Sequence, residues 1–491
     1  MAGSFGSLEI ARSGILVNER SLYVTGHNIS NVNTTGFVRQ QAMIMDRQTQ
    51  ILGNGFQLGT GADIQEIRQI RNTFLDNIYR KENTSLGYWE TINKTYGDIQ
   101  AILNEPFGES LQGVMNQFWD AWQELSKDPS SLAVRALVRQ RAESLVYQIN
   151  YIGEQIDKLQ KDLNNEVKIC IENINTITDE IAKLNLEIIK AEVSGDSAND
   201  YRDRRNLLAD TLSKLVDTNM YYTSDGQLAI TIGGYFIVNG NTSTKLCAAT
   251  DDDSGYFYVP KIEGTDIKVP VKSGILQGLI NSRGASPDFD PVTPGYAPVE
   301  FSTNILQSLK NSLNAYTVTF INEVNNLHKM GKNMNPAPNN QGTDFFVPIN
   351  DGKPIGLGNI KLNSNLSDLN YIVASEDGSI GNNNIALQIA NLRNKPVLAD
   401  TSGVMSLDEY YQMVIMQVGN CGAYAENAYN GQVKLVSAAD QYRQSVSGVS
   451  MDEEMTNMMK YKYGYNASAR TINVIDQMIE TIISRMGLVG R

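Results

Sequence analysis

The 491-residue chain has little of the chemistry that most enzymes use. It holds two histidines, His27 and His328, each standing alone, and three widely separated cysteines, Cys170, Cys247 and Cys421. This usage fits neither a disulfide framework nor a zinc site, and predicts free thiols that are buried or half-buried. No phosphate-binding loop or glycine-rich dinucleotide motif is present. We therefore expect no catalytic residue, metal or cofactor, and interpret both histidines as surface or capping residues.

Positive charge and long apolar runs are also scarce. The formal net charge is -13 and the isoelectric point is about 4.8, which argues against nucleic acid and anionic membrane surfaces as partners. No run of about 20 apolar residues could span a bilayer, so membrane insertion is not expected. The first residues lack a basic region followed by an apolar one, and we expect no cleavable signal peptide.

What the sequence does contain is a helical seam near its end, over residues 450–487. Ser450 and Glu453 form a capping-box pattern at the start of this predicted helix. Apolar or near-apolar residues then recur in steps of four and three, with one shortened step before Ile475, as in a coiled coil with a stammer. The seam residues are Met451, Met455, Met458, Lys462, Tyr465, Ala469, Ile472, Ile475, Ile479, Ile482 and Met486. Small and polar members weaken the seam, so the helix is expected to need partners.

A second weak helical seam lies near the start of the chain. Its members are Leu8, Ala11, Ile15, Asn18, Leu22, Thr25 and Ile29. Gly6, Gly14 and Gly26 each lower helix propensity by about 1 kcal/mol relative to Ala. Such a helix is marginal alone and is ordered mainly by packing. The run 28–37, rich in Asn and ending in Gly36 and Phe37, predicts a helix end followed by a turn.

The middle of the chain predicts helices, then strands, then helices again. A helix is predicted over 63–103, and Asp128 with Pro129 is interpreted as the N-terminal cap of a long helix over 131–193. A returning helix over 201–216 would complete an antiparallel hairpin. Alternation over 220–238, with two glycine-containing turns, predicts a β hairpin.

This order predicts a mostly α fold with an inserted β-rich domain. Paired terminal helices would form a coiled coil from residues 1–50 and 448–491. A long helical bundle domain would take 51–218, 301–332 and 385–447. An outer β domain would take 219–300 and 333–384.

Both ends of the chain carry signature-like runs. Residues 28–40 read Asn-Ile-Ser-Asn-Val-Asn-Thr-Thr-Gly-Phe-Val-Arg-Gln, and residues 445–455 read Ser-Val-Ser-Gly-Val-Ser-Met-Asp-Glu-Glu-Met, followed by Tyr-Asn-Ala-Ser-Ala-Arg at 465–470. These runs resemble the terminal signatures of the rod, hook and hook-associated proteins of the bacterial flagellum. The segments 118–144, 201–205 and 273–279 resemble the hook-associated members, so the resemblance spans essentially the whole chain.

The resemblance implies a structural protein at the junction between hook and filament, outside the cell and without enzymatic activity. It implies export in an unfolded state through the flagellar type III apparatus. The implied partners are further copies of the chain, the hook protein, the next hook-associated protein toward the filament, and an export chaperone on the C-terminal region. The resemblance also implies that the two terminal helices run together as an inner core.

We therefore predict an assembly surface on the two ends. Its N-terminal members are Leu8, Ile15, Leu22 and Ile29, which are expected to pack on C-terminal residues within and between subunits. The turn residues Asn33, Thr34, Gly36 and Phe37 are expected to set the approach to the next subunit. The predicted C-terminal members are Tyr465, Ala469, Ile472, Ile479 and Ile482.

Two alternatives remain open from the sequence. A hook or distal-rod protein would resemble the chain at its ends, although it would not usually carry the long helical hairpin of residues 145–188. An extracellular glycan-acting enzyme on a helical stalk would need paired carboxylates in the β region. Asp251, Asp252, Asp253, Glu263 and Asp266 are the available acids.

Overall fold

The structure is a computed structural model that describes residues 2–51, 57–104, 110–193, 195, 197–223, 225–251, 255–289, 299–301, 303–336, 340–400 and 403–485. Helices make up 63% of it, and the strands form small antiparallel sheets. The predicted class, mostly α with a β insert, is confirmed. Cys170 is buried and Cys247 and Cys421 are half-buried free thiols, also as predicted.

The helices and strands follow one another in the predicted order. The helices are α1 Ala2–Ser30, α2 Thr73–Leu103, α3 Leu111–Lys127, α4 Leu132–Glu192, α5 Asn199–Leu215, α6 Gly274–Arg283, α7 Ile305–Met330, α8 Asn384–Asn391, α9 Leu407–Ser447 and α10 Met451–Arg485. The strands are β1 Gln40–Asp46, β2 Gln50–Ile51, β3 Gln57–Leu58, β4 Ala62–Gln69, β5 Asn219–Tyr222, β6 Leu228–Ile232, β7 Tyr235–Asn239, β8 Thr242–Ser243, β9 Leu246–Thr250, β10 Tyr258–Ile262, β11 Phe346–Val347, β12 Lys361–Leu362, β13 Pro396–Asp400 and β14 Gly403–Ser406. Met486, the last predicted seam residue, lies outside the described residues.

The chain forms two compact units. The first comprises Met1–Thr84, Ile174–Lys245 and Val433–Arg491, and the second comprises Ser85–Asn173 and Leu246–Gln432. Both ends of the chain therefore belong to the first unit, together with α5, the β1–β4 ribbon and the β5–β8 sheet.

In the first unit, α5 folds back along the end of α4 as the predicted hairpin. Arg205 donates to Asn185 Oδ1 at 2.8 Å, and Arg202 lies 2.8 Å from the Glu192 carboxylate, so the two helices run antiparallel. The fully buried Asn185 also donates to the backbone oxygens of Leu228 and Gly240 at 2.9 and 2.7 Å. This one amide side chain therefore holds the β5–β8 sheet against the hairpin.

The helix predicted over 63–103 is wrong in its first third. Residues 62–69 form β4, which pairs antiparallel with β1, and α2 begins only at Thr73. The register shifts between Met43 and Ile44, where Ile44 pairs with Ile64 and Met43 with Glu66. Such a bulge turns the following side chains to the other face, so Ile64 and Ile67 are both half-buried although three residues apart. The three-residue spacing of a bulged strand imitated a helix.

The second unit has an aromatic core built on α3. Phe118, Trp119 and Trp122 are at most 2% exposed, and their rings contact Phe320 of α7 and Phe345 edge to face or at a tilt. Edge-to-face and tilted ring pairs stabilise a core beyond their buried area alone. The α3 aromatic residues are therefore core residues, as their helical spacing predicts.

Two predictions about the second unit are corrected. The cap of α4 is Ser131, whose Oγ accepts from the Val134 N–H at 3.4 Å, while Asp128 ends α3 through its N–H to Glu124 O. Proline restricts the preceding residue, so Asp128–Pro129 marks the break between the helices and not the cap itself. His328 is not a surface or capping residue. It is fully buried at the end of α7.

His328 is held as a neutral imidazole by two backbone groups. Its Nδ1 donates to Thr343 O at 2.5 Å, and its Nε2 accepts from the Val373 N–H at 3.0 Å. Burial lowers the pKa of His328 to about 4, because the charged form loses its hydration. The side chain therefore ties two loop segments to α7.

Candidate assembly surface on the terminal helices

The two terminal helices lie side by side and run antiparallel. A Cβ on Gly14 would lie 2.6 Å from Ser468 Oγ, and a Cβ on Gly464 would lie 2.5 Å from Asn18 Oδ1. Near the end of α1, Asn28 donates to Glu454 Oε2 at 3.2 Å. Fourteen residues forward along α1 thus correspond to fourteen residues back along α10. The glycines at 14 and 464 allow this close approach because they carry no side chain.

The faces that the terminal helices bury are small or polar. Of the α10 side chains that the structure describes, only Glu454 and Ile475 are buried. The buried positions of α1 are mostly small or hydrophilic: Ala11, Ser13, Val17, Ser21, Val24, Thr25 and Asn28. Burying few methylene groups stabilises the pair only weakly, at about 0.8 kcal/mol each. The single chain therefore leaves this helix pair weakly supported.

The predicted N-terminal seam residues lie at the margin of the helix pair. Leu8, Ile15, Leu22 and Ile29 are all half-buried. The antiparallel register places Leu8 and Ile15 level with positions 474 and 467 of α10, among the predicted C-terminal residues. It places Leu22 and Ile29 level with positions 460 and 453, which were not predicted.

The predicted C-terminal residues divide by exposure. Ala469, Ile472 and Ile479 are half-buried, whereas Tyr465 and Ile482 are 37% and 51% exposed. By the same register, Ile479 and Ile482 lie level with the first residues of α1. Their role in contacts between subunits stays a prediction.

The turn after α1 is held by local contacts. Asn33 and Thr34 are exposed. Gly36 has a φ of +82°, a left-handed conformation that disfavours other residues, and a Cβ there would lie 3.3 Å from the Leu207 side chain. The Phe37 ring meets the His27 ring edge to face at 5.4 Å. Gly36 and Phe37 therefore pack within the first unit, and Asn33 and Thr34 face outward.

A set of residues that we name the polar joint connects the two signature runs: Asn28, Arg39, Gln40, Ser447 and Glu454. Asn28 Oδ1 accepts from the Gln40 N–H at 3.0 Å, and its Nδ2 donates to Gln40 O at 2.8 Å. Arg39 donates from Nε to Glu454 Oε1 at 2.7 Å and from its backbone N–H to Ser447 O at 3.0 Å. The joint therefore links the end of α1, the start of β1 and the break between α9 and α10.

Sequence reasoning missed the polar joint. Glu454 was interpreted as one of three acids that favour a helix N-terminus, yet it is 2% exposed. Arg39 was quoted only as part of a signature. The signal that could have found the pair is one Arg and one run of acids, each inside a signature at opposite ends of the chain. Only the folded chain shows which acid is buried.

The start of α5 supports the same region through Asp203. This carboxylate accepts from the Val38 N–H at 3.2 Å and from Gln69 Nε2 at 2.7 Å, and Arg71 lies 3.8 Å away. Burial raises the pKa of Asp203 to about 7, because desolvation outweighs these contacts. Asp203 thus fixes the chain as it leaves the turn at Gly36.

The outer faces of the terminal helices carry large apolar side chains. On α1 these are Ile10, Leu16 and Tyr23, with Tyr23 76% exposed. On α10 they are Met451, Met455, Met459, Tyr463, Tyr465, Val474, Met478, Ile482 and Ile483. Contiguous exposed apolar surface of this kind marks interaction sites in soluble proteins. The apolar surface left open here exceeds what the pair buries between its own helices.

Features of other functional classes were also sought. Across the described ranges, no group of three or more His, Cys, Asp or Glu residues could hold a metal ion, and no helix is long and apolar enough to cross a bilayer. Glu263 and Asp266 are exposed, and Asp251 pairs with Lys268. Asp252 and Asp253 lie outside the described residues.

Comparison with known families decides the affiliation. A family model described as the flagellar hook-associated protein FlgK helical domain matches residues 96–346, just over half of the chain. The chain belongs to the FlgK family. A second model, described as the flagellar basal body rod FlgEFG protein C-terminal, matches residues 441–485, which include α10.

Other members of the FlgK family match along their whole length. Flagellar hook-associated protein 1 of Bacillus subtilis is 28% identical over 521 aligned positions that cover 100% of both chains. The proteins of that name from Escherichia coli and Salmonella typhimurium are 22% and 24% identical and cover 96% of this chain and 98% of their own. The solved flagellar hook junction protein FlgK from Burkholderia pseudomallei superposes with a TM-score of 0.62 at 14% identity, covering 76% of this chain and 100% of that one. That likeness establishes the shared fold.

Proposed function

We propose that this protein is the structural component that joins the hook of the bacterial flagellum to its filament, and that α1 and α10 are its assembling part. Membership of the FlgK family supports the role. The observation that carries the assembly proposal is the contrast between the two faces of the helix pair. Its inner face is small and polar, while its outer face exposes large apolar residues such as Tyr23, Met459 and Met478. Neighbouring copies would cover that outer face.

The weakness of the helix pair suits a protein that is exported before it assembles. Short-range helix formation alone is marginal in water, so α1 and α10 can cross a narrow channel extended and become ordered when packed. We propose export through the flagellar type III apparatus, with an export chaperone covering the apolar stretch of α10. In this proposal residues 1–50 and 448–491 are the part that assembles, outside the cell.

The geometry of assembly follows from identical subunits in head-to-tail contact. Such contacts extend indefinitely as a helix unless another component ends them. A junction protein must therefore bind the hook protein on one side and the next hook-associated protein on the other, besides its own copies. The predicted surface, from Leu8, Ile15, Leu22 and Ile29 to Tyr465 and its neighbours on α10, is the proposed site of these contacts.

A hook or distal-rod protein is the second candidate. The match of residues 441–485 to the rod-protein C-terminal model supports it, because axial proteins of one family share that segment. The match of 96–346 to the FlgK helical domain favours the junction role, since that range holds the whole of α4. A rod or hook role would predict loss of the hook itself in cells without the protein.

Electron microscopy of cells that lack the protein separates these roles. The junction role predicts complete hooks without filaments, with flagellin shed into the medium. Complementation with the unaltered chain should restore filaments. Cells without hooks would favour the second candidate, and cells with normal filaments would contradict both.

A further inference from the structure

We propose that Glu454 is a positioning residue for the terminal helices: its buried carboxylate, held by Arg39 and Asn28, fixes α10 to the end of α1, and pairing extends from there toward the free ends. The inference rests on the proposed function only in taking the helix pair as the assembling part. It adds a direction to the ordering of that pair, from the polar joint outward.

The first support is that four chain segments converge on one buried carboxylate. Glu454 Oε1 accepts from Arg39 Nε at 2.7 Å, and Oε2 accepts from Asn28 Nδ2 at 3.2 Å. Asn28 in turn holds both backbone groups of Gln40, and the Arg39 N–H holds Ser447 O. Each hydrogen bond satisfies a group that would otherwise be buried without a partner. The carboxylate therefore fixes the ends of α1, α9 and α10 and the start of β1 together.

The second support is the contrast with the neighbouring acid. Glu453 also contacts Arg39, at 2.6 Å, but its side chain is 63% exposed, against 3% for Glu454. An exposed ion pair contributes little to stability, whereas breaking a buried pair leaves an uncompensated charge and is strongly destabilising. The two glutamates share a partner and differ in burial. Glu453 is thus a matched control.

The break between α9 and α10 needs an external constraint, which the joint supplies. A Cβ on Gly448 would lie 2.5 Å from Gln444 O, so the chain turns here in a conformation open to glycine alone. Glycine confers no direction on the following helix because its backbone is permissive. Ser447 on one side of Gly448 and Glu454 on the other are both bonded to Arg39. Arg39 therefore bridges the break.

The third support is the decline in anchoring away from the joint. On α10, Glu454 is buried beside the joint, and farther along the described part only Ile475 is. Close to the free end, Met478, Ile482 and Ile483 are 60%, 51% and 73% exposed. Few buried contacts mean a low free energy of local opening. The pair is anchored at one end, and order spreads from that end.

Hydrogen exchange of the full-length monomer, read by mass spectrometry of peptides, tests this. The Arg39 and Gln40 amides report on the joint directly, because their acceptors are Ser447 O and Asn28 Oδ1. We expect them to exchange at least about tenfold more slowly than amides in 8–16 and 472–479. Glu454→Gln should reduce their protection about tenfold or more, and Glu453→Gln less than about threefold.

A role in general stability would give a different pattern. With Glu454→Gln, peptides from β6 in the same unit and from 118–122 in the other should keep their protection while 25–41 and 451–461 lose it. Should Glu454→Gln fail to fold, Glu454→Asp keeps the charge, and a selective loss at the same peptides is expected. Equal effects of the two Gln variants, or free ends as protected as the joint, would overturn the inference.

These outcomes are independent of the proposed function. Filaments on cells that lack the protein would contradict the junction role and leave the protection gradient as it is. A flat gradient would overturn the positioning role and leave the filament phenotype as it is.

Discussion

Asn18 lies against Gly464 so closely that a Cβ on Gly464 would be 2.9 Å from Asn18 Cγ. The Asn18 side chain cannot easily turn away, because its Nδ2 donates to Gly14 O at 2.6 Å. The two terminal helices are thus in contact at a point where one contributes a braced amide and the other no side chain.

We expect Gly464→Val to separate the helices at this point. Overpacking a close contact costs about 1–3 kcal/mol, which is large for a weakly buried pair. Hydrogen exchange of α1 and α10 should accelerate, and fewer hooks should carry filaments. Gly26→Ala is the matched control, since a Cβ there meets nothing within 4 Å and Ala gains up to about 1 kcal/mol of helix propensity. Equal filament loss in both variants would count against a close contact at Gly464.

Ile479 tests the predicted assembly surface. It is half-buried on α10, and Ile479→Asp places a charge where neighbouring subunits are proposed to pack. We expect the rest of the chain to keep its circular dichroism spectrum while filament attachment is abolished. Gln477→Asp, at an exposed position of the same helix, should leave attachment intact. Normal swimming of Ile479→Asp cells would remove this residue from the surface.

Asp203 gives the first unit a pH dependence opposite to that of a paired carboxylate. Burial raises the pKa of Asp203 from 3.8 to about 7, so the protonated form suits the fold. Its stabilisation is complete below about pH 4 and is lost as the pH rises through 7, a change of about 3–4 kcal/mol at about 1.4 kcal/mol per pKa unit. We expect Asp203→Asn to flatten this slope in urea unfolding followed by circular dichroism.

The neighbouring Asp200 provides the comparison, because its side chain is 72% exposed. Asp200→Asn should keep the slope between pH 4 and 7. A slope that survives in Asp203→Asn would mean that another group carries it.

His328 gives the second unit an acid limit. Burial lowers the pKa of His328 to about 4, and Nε2 has no room for a proton facing the Val373 N–H. The neutral form stabilises the fold fully above pH 6.5, and this stabilisation, about 3 kcal/mol, is lost as the pH falls through 4. Fluorescence of Trp119 and Trp122 in the same unit reports the transition. His328→Gln should lower stability at neutral pH and remove the acid slope.

The only other histidine serves as the control. His27→Gln should leave the acid transition of tryptophan fluorescence in place. If both variants shift it alike, the burial of His328 is not its cause.

Long periodic segments were predictable because one face of each helix is apolar at a regular spacing. The helix predicted over 131–193 is α4, Leu132–Glu192, and the returning helix is α5. The β4 strand was not predictable, since its bulge gives Ile64 and Ile67 the spacing of a helix. Local pattern determines a regular element and fails where a single unpaired residue changes the period.

The candidate site was predictable in outline and not in its anchor. Spacing alone identifies α10 and places Ile472 and Ile479 on a partly covered face. It cannot distinguish Glu453 from Glu454, because the difference is burial against Arg39, more than four hundred residues away in the sequence. The same holds for His328, whose partners lie in two separate loops.

The exposed thioethers of α10 have a consequence for the lifetime of the secreted subunit. Met451, Met455, Met459 and Met478 are 42% to 60% exposed in the single chain. Oxidants convert methionine to the polar sulfoxide, which disrupts apolar interfaces. We expect peroxide to add oxygen to these residues in free subunits and to spare them in intact flagella, as read by peptide mass. Oxidative damage would then decide how long a subunit outside the cell remains fit to be incorporated.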